Sequence, residues 1–194
     1  RAPIISFEVN SAGQFENVSR LLLVGHKNSG ASATDNVPFR CNTPQEAIAL
    51  AGKGSMLAEM LIAARLNAQA QDIWLLPVPA TGVAEVRTLT VGSVPANGGY
   101  GVIAIAGHEI ALTIGAGDTA NAVATALGAA INAYQDALTK SALPFTATVA
   151  TNVVTLTARH AGAFAGEIDV YVPPLSAGNV FTTLLTAATG TAGT

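Results

Sequence analysis

Alternating and clustered apolar positions divide the first 79 residues into short strands and two helices. Residues 4–9 and 20–24 are β-compatible stretches, and the second is typical of a strand buried on both faces of a parallel sheet. Residues 37–41 predict a brief extended segment, and residues 73–77, which include Trp74, predict another strand. With helical patterns between them, the region predicts a small β-loop-α-α-β unit.

The first of these helices has a clear starting signal. Thr43 is placed as the N-cap, Pro44 occupies the first helical position, and Glu46 is spaced to complete a capping box. We expect this helix to end at Gly52. A second helix, over about residues 55–69, has an apolar stripe at helical spacing. The stripe consists of Leu57, Met60, Leu61 and Ala64, widened by Ile62 and Leu66.

Pro-rich segments at residues 77–82 and 172–179 bracket a region with a different pattern. Residues 85–94 and 167–172 predict strands at its two ends. Between them, turn signals predict two antiparallel hairpins, the first turning at Gly107–His108 as type II′ and the second at Thr151–Asn152. The predicted pairs are Ile105–Ile110 and Ile103–Leu112 in the first hairpin, and Val149–Val154, Ala147–Leu156 and Phe145–Ala158 in the second.

This pairing predicts one apolar face and one threonine-coated face for the sheet. The threonines are Thr146, Thr148, Thr155 and Thr157. Between the hairpins, Asp118 is the predicted N-cap of a helix that must cover the apolar face. Its apolar positions at helical spacing are Val123, Ala124, Leu127, Ile131 and Tyr134.

The expected fold class is therefore α+β, in two parts. Residues 1–79 form the β-loop-α-α-β unit, which we interpret as the N-terminal α/β part of a larger domain. Residues 83–172 form an inserted, compact α+β domain whose antiparallel hairpins are covered by one helix. Residues 173–194 are expected to begin a segment that returns to the first part.

Composition narrows the classes of function. Of 194 residues, 50% are apolar, which supports sizeable cores, whereas only 11% are charged, against about 25% in typical domains. A net charge of -3 and the lack of a cationic cluster argue against nucleic acid as a partner. No apolar run reaches the ~20 residues of a membrane helix, so we expect a soluble chain without membrane insertion. The abrupt ends suggest a trimmed fragment, and the lone Cys41 is expected to be a buried packing residue.

The loop at residues 25–32 is the main candidate for chemistry. Gly25, Gly30 and Ser32 have the spacing of a phosphate-binding P-loop, but Ala31 stands where that motif needs a lysine. Residues 32–38 do not predict the helix that a phosphate cradle requires, and Lys27 lies before the point at which that lysine acts. We therefore interpret the loop as a connection in the scaffold.

Other candidate sites are weaker. The segment around Lys53 breaks one helix and starts another, and offers an anion at most a weak site. The three histidines, His26, His108 and His160, lack second ligands at metal-binding spacing and are interpreted as surface residues. Glu167 and Asp169 are interpreted as a solvated strand face. Residues 17–19 form a glycosylation sequon, which matters only in a secreted protein. We expect no catalytic residue, no cofactor and no metal.

Several separated motifs together resemble the tail sheath proteins of Mu-like contractile-tailed bacteriophages. The first is RLLLVGHKNSGA at residues 20–31, followed by TPQEAIALAGKGSMLAEMLIAARLNAQAQDIWLLPVP at residues 43–79. Residues 102–133 and 145–170 are similar to the inserted domain of the same proteins. The resemblance covers nearly the whole chain, but sheath proteins are considerably longer and their C-terminal part is missing here.

This resemblance implies a structural virion protein without enzymatic activity. The full-length subunit would form a helical polymer with other sheath subunits around the tail tube protein, in the virion tail, after assembly in the host cytoplasm. Contraction would drive the tube through the host envelope for genome ejection, and the fragment alone is expected to be a monomer. The alternative is a virion surface domain that binds host glycan, although the aromatic content of 5% offers few stacking platforms for sugars.

Overall fold

The computed structural model describes residues 20–67, 71–175 and 178–194. The strand predicted at residues 4–9 and the sequon at residues 17–19 lie outside these ranges. The described chain contains helices packed on parallel and antiparallel strands in three sheets, which confirms the α+β fold class. Buried apolar side chains form two separate clusters, one within residues 41–75 and one within residues 89–184.

The first unit is a three-stranded sheet with two helices. Its elements are β1 (Arg20–His26), β2 (Phe39–Arg40), α1 (Pro44–Ala51), α2 (Met56–Asn67) and β3 (Asp72–Val78). Strand β3 lies in the centre, parallel to β1 and antiparallel to β2. The core between sheet and helices consists of Cys41, Ala47, Ala51, Leu57, Ala58, Leu61, Ile73 and Leu75.

Two burial predictions for this unit are wrong. Strand β1 is buried on one face, because the helices pack there, while Leu22 and Val24 on the other face are 52% and 47% exposed. On α2, the buried residues are Leu57, Ala58, Leu61 and Ile62, whereas Leu66 is 61% exposed. In both cases a continuous apolar run contains more apolar residues than the single packed face can accommodate.

Helix α1 begins and ends where the sequence predicts. Thr43 Oγ1 accepts a hydrogen bond of 3.2 Å from the Glu46 amide, and Pro44 begins the helix. The Glu46 carboxylate accepts a bond from the amide of Asn42, one residue before the N-cap. Gly52 ends the helix at a φ of 97°, a conformation that glycine adopts without strain.

The second unit contains two antiparallel sheets and helix α3. Its strand order is β10-β4-β8-β7 in one sheet and β6-β5-β9 in the other. The elements are β4 (Ala84–Val91), β5 (Gly99–Ile105), β6 (His108–Ile114), α3 (Ala120–Ala133), β7 (Phe145–Ala150), β8 (Val153–Ala161), β9 (Val170–Tyr171), α4 (Phe181–Leu184) and β10 (Leu185–Thr191). Strand β9 is much shorter than the strand predicted over residues 167–172. Residue 167 belongs instead to a 3₁₀ turn that spans residues 163–167.

The β7–β8 hairpin has the predicted register. Val149 pairs with Val154, Ala147 with Leu156 and Phe145 with Ala158. The four threonines occupy the opposite face, and strand β4 extends that face with Thr88 opposite Thr155. We call this surface, formed by Thr88, Thr90, Thr146, Thr148, Thr155 and Thr157, the threonine face.

The β5–β6 turn lies one residue earlier than predicted. Its central residues are Ala106 and Gly107, both at positive φ as in a type I′ turn, and Ile103 pairs with Ile110 instead of Leu112. Every partner moves by two residues, so the inward face is unchanged. Ile103, Ile105 and Ile110 are buried as expected.

Helix α3 covers the sheet as predicted, but its N-cap is Thr119 instead of Asp118. Thr119 Oγ1 accepts from the amide of Ala122 at 3.2 Å, while Asp118 accepts from the amide of Gly115 in the preceding turn. Since Thr119 is three residues before that amide, it has the spacing of a cap. The inward residues Val123, Ala124, Leu127 and Ile131 are buried.

The segment after residue 173 packs on the second unit. Phe181 and Leu184 belong to its core, and β10 pairs antiparallel with β4. Asn179 fastens the segment to β5 through both main-chain groups of Val102. The division of the chain into domains stays a prediction.

Candidate functional site

The loop after β1 is bound to its own residues and to α1. The Lys27 ammonium donates to the carbonyl of Ala31 at 3.0 Å and lies 3.6 Å from the Asp35 carboxylate. The Asn28 amide donates to the carbonyl of Ala51, and its side-chain amide donates to that of Lys53. The loop therefore connects β1 to the end of α1 and the turn that follows it.

This geometry differs from a phosphate cradle in two respects. Residues 27–38 contain turns and bends but no helix, so no helix dipole points at Gly30. The lysine in the loop, Lys27, is bonded to acceptors of the same loop. The position at which a P-loop has its lysine is occupied by the uncharged Ala31. These contacts support the interpretation as a scaffold connection; that the loop holds no ligand stays a prediction.

An open cleft of about 330 Å³ lies beside the loop, between the two units. One side is formed by residues 27–30 and Asp35, and the other by residues 78–80 with Arg159 and Ala161 of β8. The Arg159 Nε donates to the carbonyl of Leu143 at 2.9 Å. Burial lowers the pKa of Arg159, while the nearby Glu59 carboxylate acts in the opposite direction.

The α1–α2 turn contacts the second unit at a helix end. The Lys53 ammonium lies 3.5 Å and 3.3 Å from the carbonyl oxygens of Asn132 and Ala133, at the C-terminus of α3, where a cation is favoured. Burial lowers its pKa, and the neighbouring Arg159 adds to that effect. The predicted weak anion site is thus a place where lysine already has acceptors. Ser55, as expected for the start of a helix, caps α2 by accepting from the Ala58 amide at 3.1 Å.

The interpretation of the histidines as surface residues is wrong for His160. Only 3% of it is exposed, its ring lies 5.9 Å from that of His26, and its Nε2 accepts a bond of 3.0 Å from the Met56 amide. His26 and His108 are half-buried. His26 Nδ1 donates to the carbonyl of Val78, so these rings connect β1, β3, α2 and β8.

A serine, a histidine and a carboxylate meet between the units. Ser141 Oγ donates a hydrogen bond to the Glu59 carboxylate and lies 3.4 Å from His108 Nε2. The other ring nitrogen of His108 lies 3.0 Å from the Tyr134 hydroxyl. In a catalytic triad the serine donates to the histidine and the carboxylate orients that histidine. Here the carboxylate holds the serine, and it also accepts from the amide of Ala142 at 2.9 Å. The arrangement fits a structural link.

The remaining candidates are dispersed. Cys41 is fully buried, as expected, and burial with the nearby Glu46 carboxylate raises its pKa to about 12. Glu167 and Asp169 are exposed but precede β9. Within residues 20–67, 71–175 and 178–194, no group of three metal-ligating side chains converges. None of the described helices is long and apolar enough to cross a membrane.

No protein-family model matches the chain. The chain is 30% identical over 176 residues to the Mu-like prophage FluMu tail sheath protein of Haemophilus influenzae. The expected resemblance to tail sheath proteins is confirmed. The alignment covers 88% of this chain and 35% of that protein, so the chain spans about a third of the length of its curated tail sheath relative.

The contacts between the two units of this sheath-like chain were not foreseen from the sequence. Met56 and His160 are 104 residues apart, and Lys53 and Ala133 are 80 residues apart. No local pattern encodes such pairs. The available signal was weaker: Lys53 and His160 are polar residues beside strongly apolar segments, and such residues need partners when they are buried.

Proposed function

We propose that this chain is part of a tail sheath subunit, a structural virion protein without enzymatic activity. The observation that carries the proposal is the 30% identity to a tail sheath protein over 88% of the chain. Full-length subunits polymerise with one another into a sleeve around the tail tube protein. The sleeve assembles in the host cytoplasm, becomes part of the virion tail, and contracts to drive the tube through the host envelope.

Contraction of this kind takes its free energy from subunit contacts. Two packings of one subunit that differ by a few kcal/mol supply a large total when the difference is multiplied over a polymer. Neither a nucleotide nor a metal ion is needed. The hydrogen bond from Lys27 to the carbonyl of its own loop residue Ala31, and the absence of a lysine at position 31, are consistent with such a mechanism.

Surface chemistry supports a role in repeated subunit contacts. The threonine face spans strands β4, β8 and β7 and presents hydroxyl and methyl groups without a charge. Burying such groups against a neighbour costs less than burying unpaired ions. A surface of this kind therefore allows subunits to repack without leaving charges buried and unpaired.

Electron microscopy of the full-length protein tests the proposal. Expression together with its tail tube protein is expected to give striated tubes, which shorten and widen when treated with a destabilising agent. The contraction threshold is expected to change little between low and high salt, because charged contacts are few. Dispersed particles under all conditions would contradict the sheath role. Saturable binding to defined glycans by such particles would favour a host-recognition domain instead.

A further inference from the structure

The two units have separate cores joined by a seam that is mainly polar. The first core contains residues 41–75 and the second contains residues 89–184, and each is closed by its own helices and strands. Contacts between described residues cross the seam at several points: Lys53 with the end of α3, Glu59 with residues 141 and 142, and His160 with the His26 ring, the Met56 amide and the backbone of Lys27. A seam of this kind depends on the protonation state of its members.

The geometry of His160 requires a neutral ring. Met56 N–H is the donor of the 3.0 Å bond, so His160 Nε2 must present a lone pair. The Met56 amide belongs to the first turn of α2, where helix amides have no partner within the helix. His160 therefore caps α2 from the other unit. If Nε2 gained a proton, two donors would face each other at the positive end of the helix dipole.

Charged groups around His160 make protonation still less favourable. Strand β1 presents the His26 ring, 5.9 Å away, and β8 itself presents Arg159, while Lys27 is paired with Asp35 and Lys53 with the end of α3. Glu59 on α2 is engaged by Ser141 and Ala142. On the loop side, Asp35 lies against Lys27, and on strand β4 Glu85 is bonded to Arg87. The nearby acidic groups are each paired with another group, and the Arg159 guanidinium opposes an added positive charge on His160.

We propose that His160 is an acid-sensitive latch, which closes the seam while its ring is neutral and opens it on protonation, with both cores still folded. This inference is independent of the sheath role. Residues 79–82 connect β3 to the second unit, where Val83 is bonded to Gly162 and Thr194, and act as the hinge.

The direction of the pH effect follows from the pKa of His160. Burial lowers this pKa from 6.5 to about 4, His26 and Arg159 add to the effect, and a bond with the backbone of Lys27 partly opposes it. An open seam exposes the ring, which then titrates near its ordinary value. The closed seam is thus fully favoured above pH 6.5 and is weakened as pH falls toward 4. The closed-to-open ratio drops by about 80-fold over that interval.

Hydrogen exchange of the Met56 amide reports the latch directly. Exchange of the 194-residue chain is measured by NMR between pH 7.5 and 4, with the intrinsic pH dependence divided out. Protection at Met56 is expected to fall about 10-fold or more below pH 5.5, while amides of β8 and β3 within the cores keep theirs. His160→Gln retains an acceptor that does not titrate, so its Met56 protection is expected to be independent of pH.

A second variant keeps the test decisive if His160→Gln does not fold. His26→Gln leaves a donor for Val78 and removes a ring that lowers the pKa of His160, so the fall in protection at Met56 between pH 7.5 and 4 is expected to be smaller than in the unaltered chain. The proposal is overturned if corrected protection at Met56 is the same at pH 7.5 and 4.5. It is also overturned if the core amides lose protection together with Met56, because the acid effect would then be global unfolding.

Discussion

Replacement of Asn179 by alanine tests how the last segment is held on the second unit. Asn179 is 5% exposed, and its side chain makes four hydrogen bonds to the backbone. The amide group donates to the carbonyls of Val102 at 2.7 Å and Pro173 at 2.8 Å. The side-chain oxygen accepts from the amides of Val102 at 3.0 Å and Phe181 at 3.1 Å. At Val102 the side chain therefore takes the place of a neighbouring strand.

The expected loss is about 3 kcal/mol of unfolding free energy. Each net hydrogen bond contributes roughly 0.5 to 1.5 kcal/mol, and four would give up to about 6. Water entering the space left by the side chain restores part of this, so we take the middle of the range. Asn179→Asp keeps the size and the acceptor, but its carboxylate would face two carbonyl oxygens in a buried site. It is therefore expected to destabilise at least as much at neutral pH.

Urea unfolding followed by two probes makes the measurement specific. With a slope of about 2 kcal/mol per molar urea, the far-UV circular dichroism midpoint is expected to fall by about 1.5 M. Fluorescence of Trp74, which lies in the first unit, is expected to change its midpoint less if the two units unfold separately. Asn121→Ala, on the exposed face of α3, is the control and is expected to stay within about 0.5 kcal/mol. A loss of less than about 0.5 kcal/mol for Asn179→Ala would refute the reasoning.

Three further predictions follow from single features. Cys41, fully buried with its pKa raised to about 12, is expected to resist thiol reagents at pH 8 until urea unfolds the chain, and rapid labelling of the native chain would contradict its burial. Thr43→Ala removes the cap of α1 and is expected to cost about 1 kcal/mol in urea unfolding, whereas Thr43→Ser should retain most of the stability. The 194-residue chain is expected to sediment as a monomer, and long polymers in the ultracentrifuge would show that it assembles without the rest of a sheath-sized protein.

Local patterns predicted those parts of the fold that local chemistry determines. The β7–β8 register followed from strict alternation, because a slip by one residue would place Phe145 outside the core and the threonines inside it. The first hairpin turned one residue early because Ala106 adopts a φ of 53°, which is uncommon for a residue with a Cβ atom. Sequence chemistry favoured glycine at the first central position, and no local signal indicated that alanine would take it.

The burial of individual residues and the long-range contacts were harder to predict from the sequence. Leu22 and Leu23 are equivalent in the sequence, yet only Leu23 packs on the first core, because the helices cover a single face of β1. His160 continues the buried alternation of β8, but its partner on α2 can be identified only when the two units are placed together. For the loop at residues 25–32, the missing lysine was readable, whereas the acceptors of Lys27 were not.

A glycine-bounded polar loop can bind a ligand or fix the orientation of the elements that it connects. Which of the two it does depends on where its hydrogen-bond donors point. The donors of Lys27 and Asn28 end on backbone carbonyls of the same unit, and those of Lys53 end on the last carbonyls of α3 in the other. Bonds of this kind are directional and individually weak, so they fix the relative orientation of two units more than they add to stability. A subunit that must hold one arrangement and later adopt another needs stiff cores and a joint with a small free-energy difference. For the proposed sheath role, the separation of apolar cores from a polar seam would provide that combination.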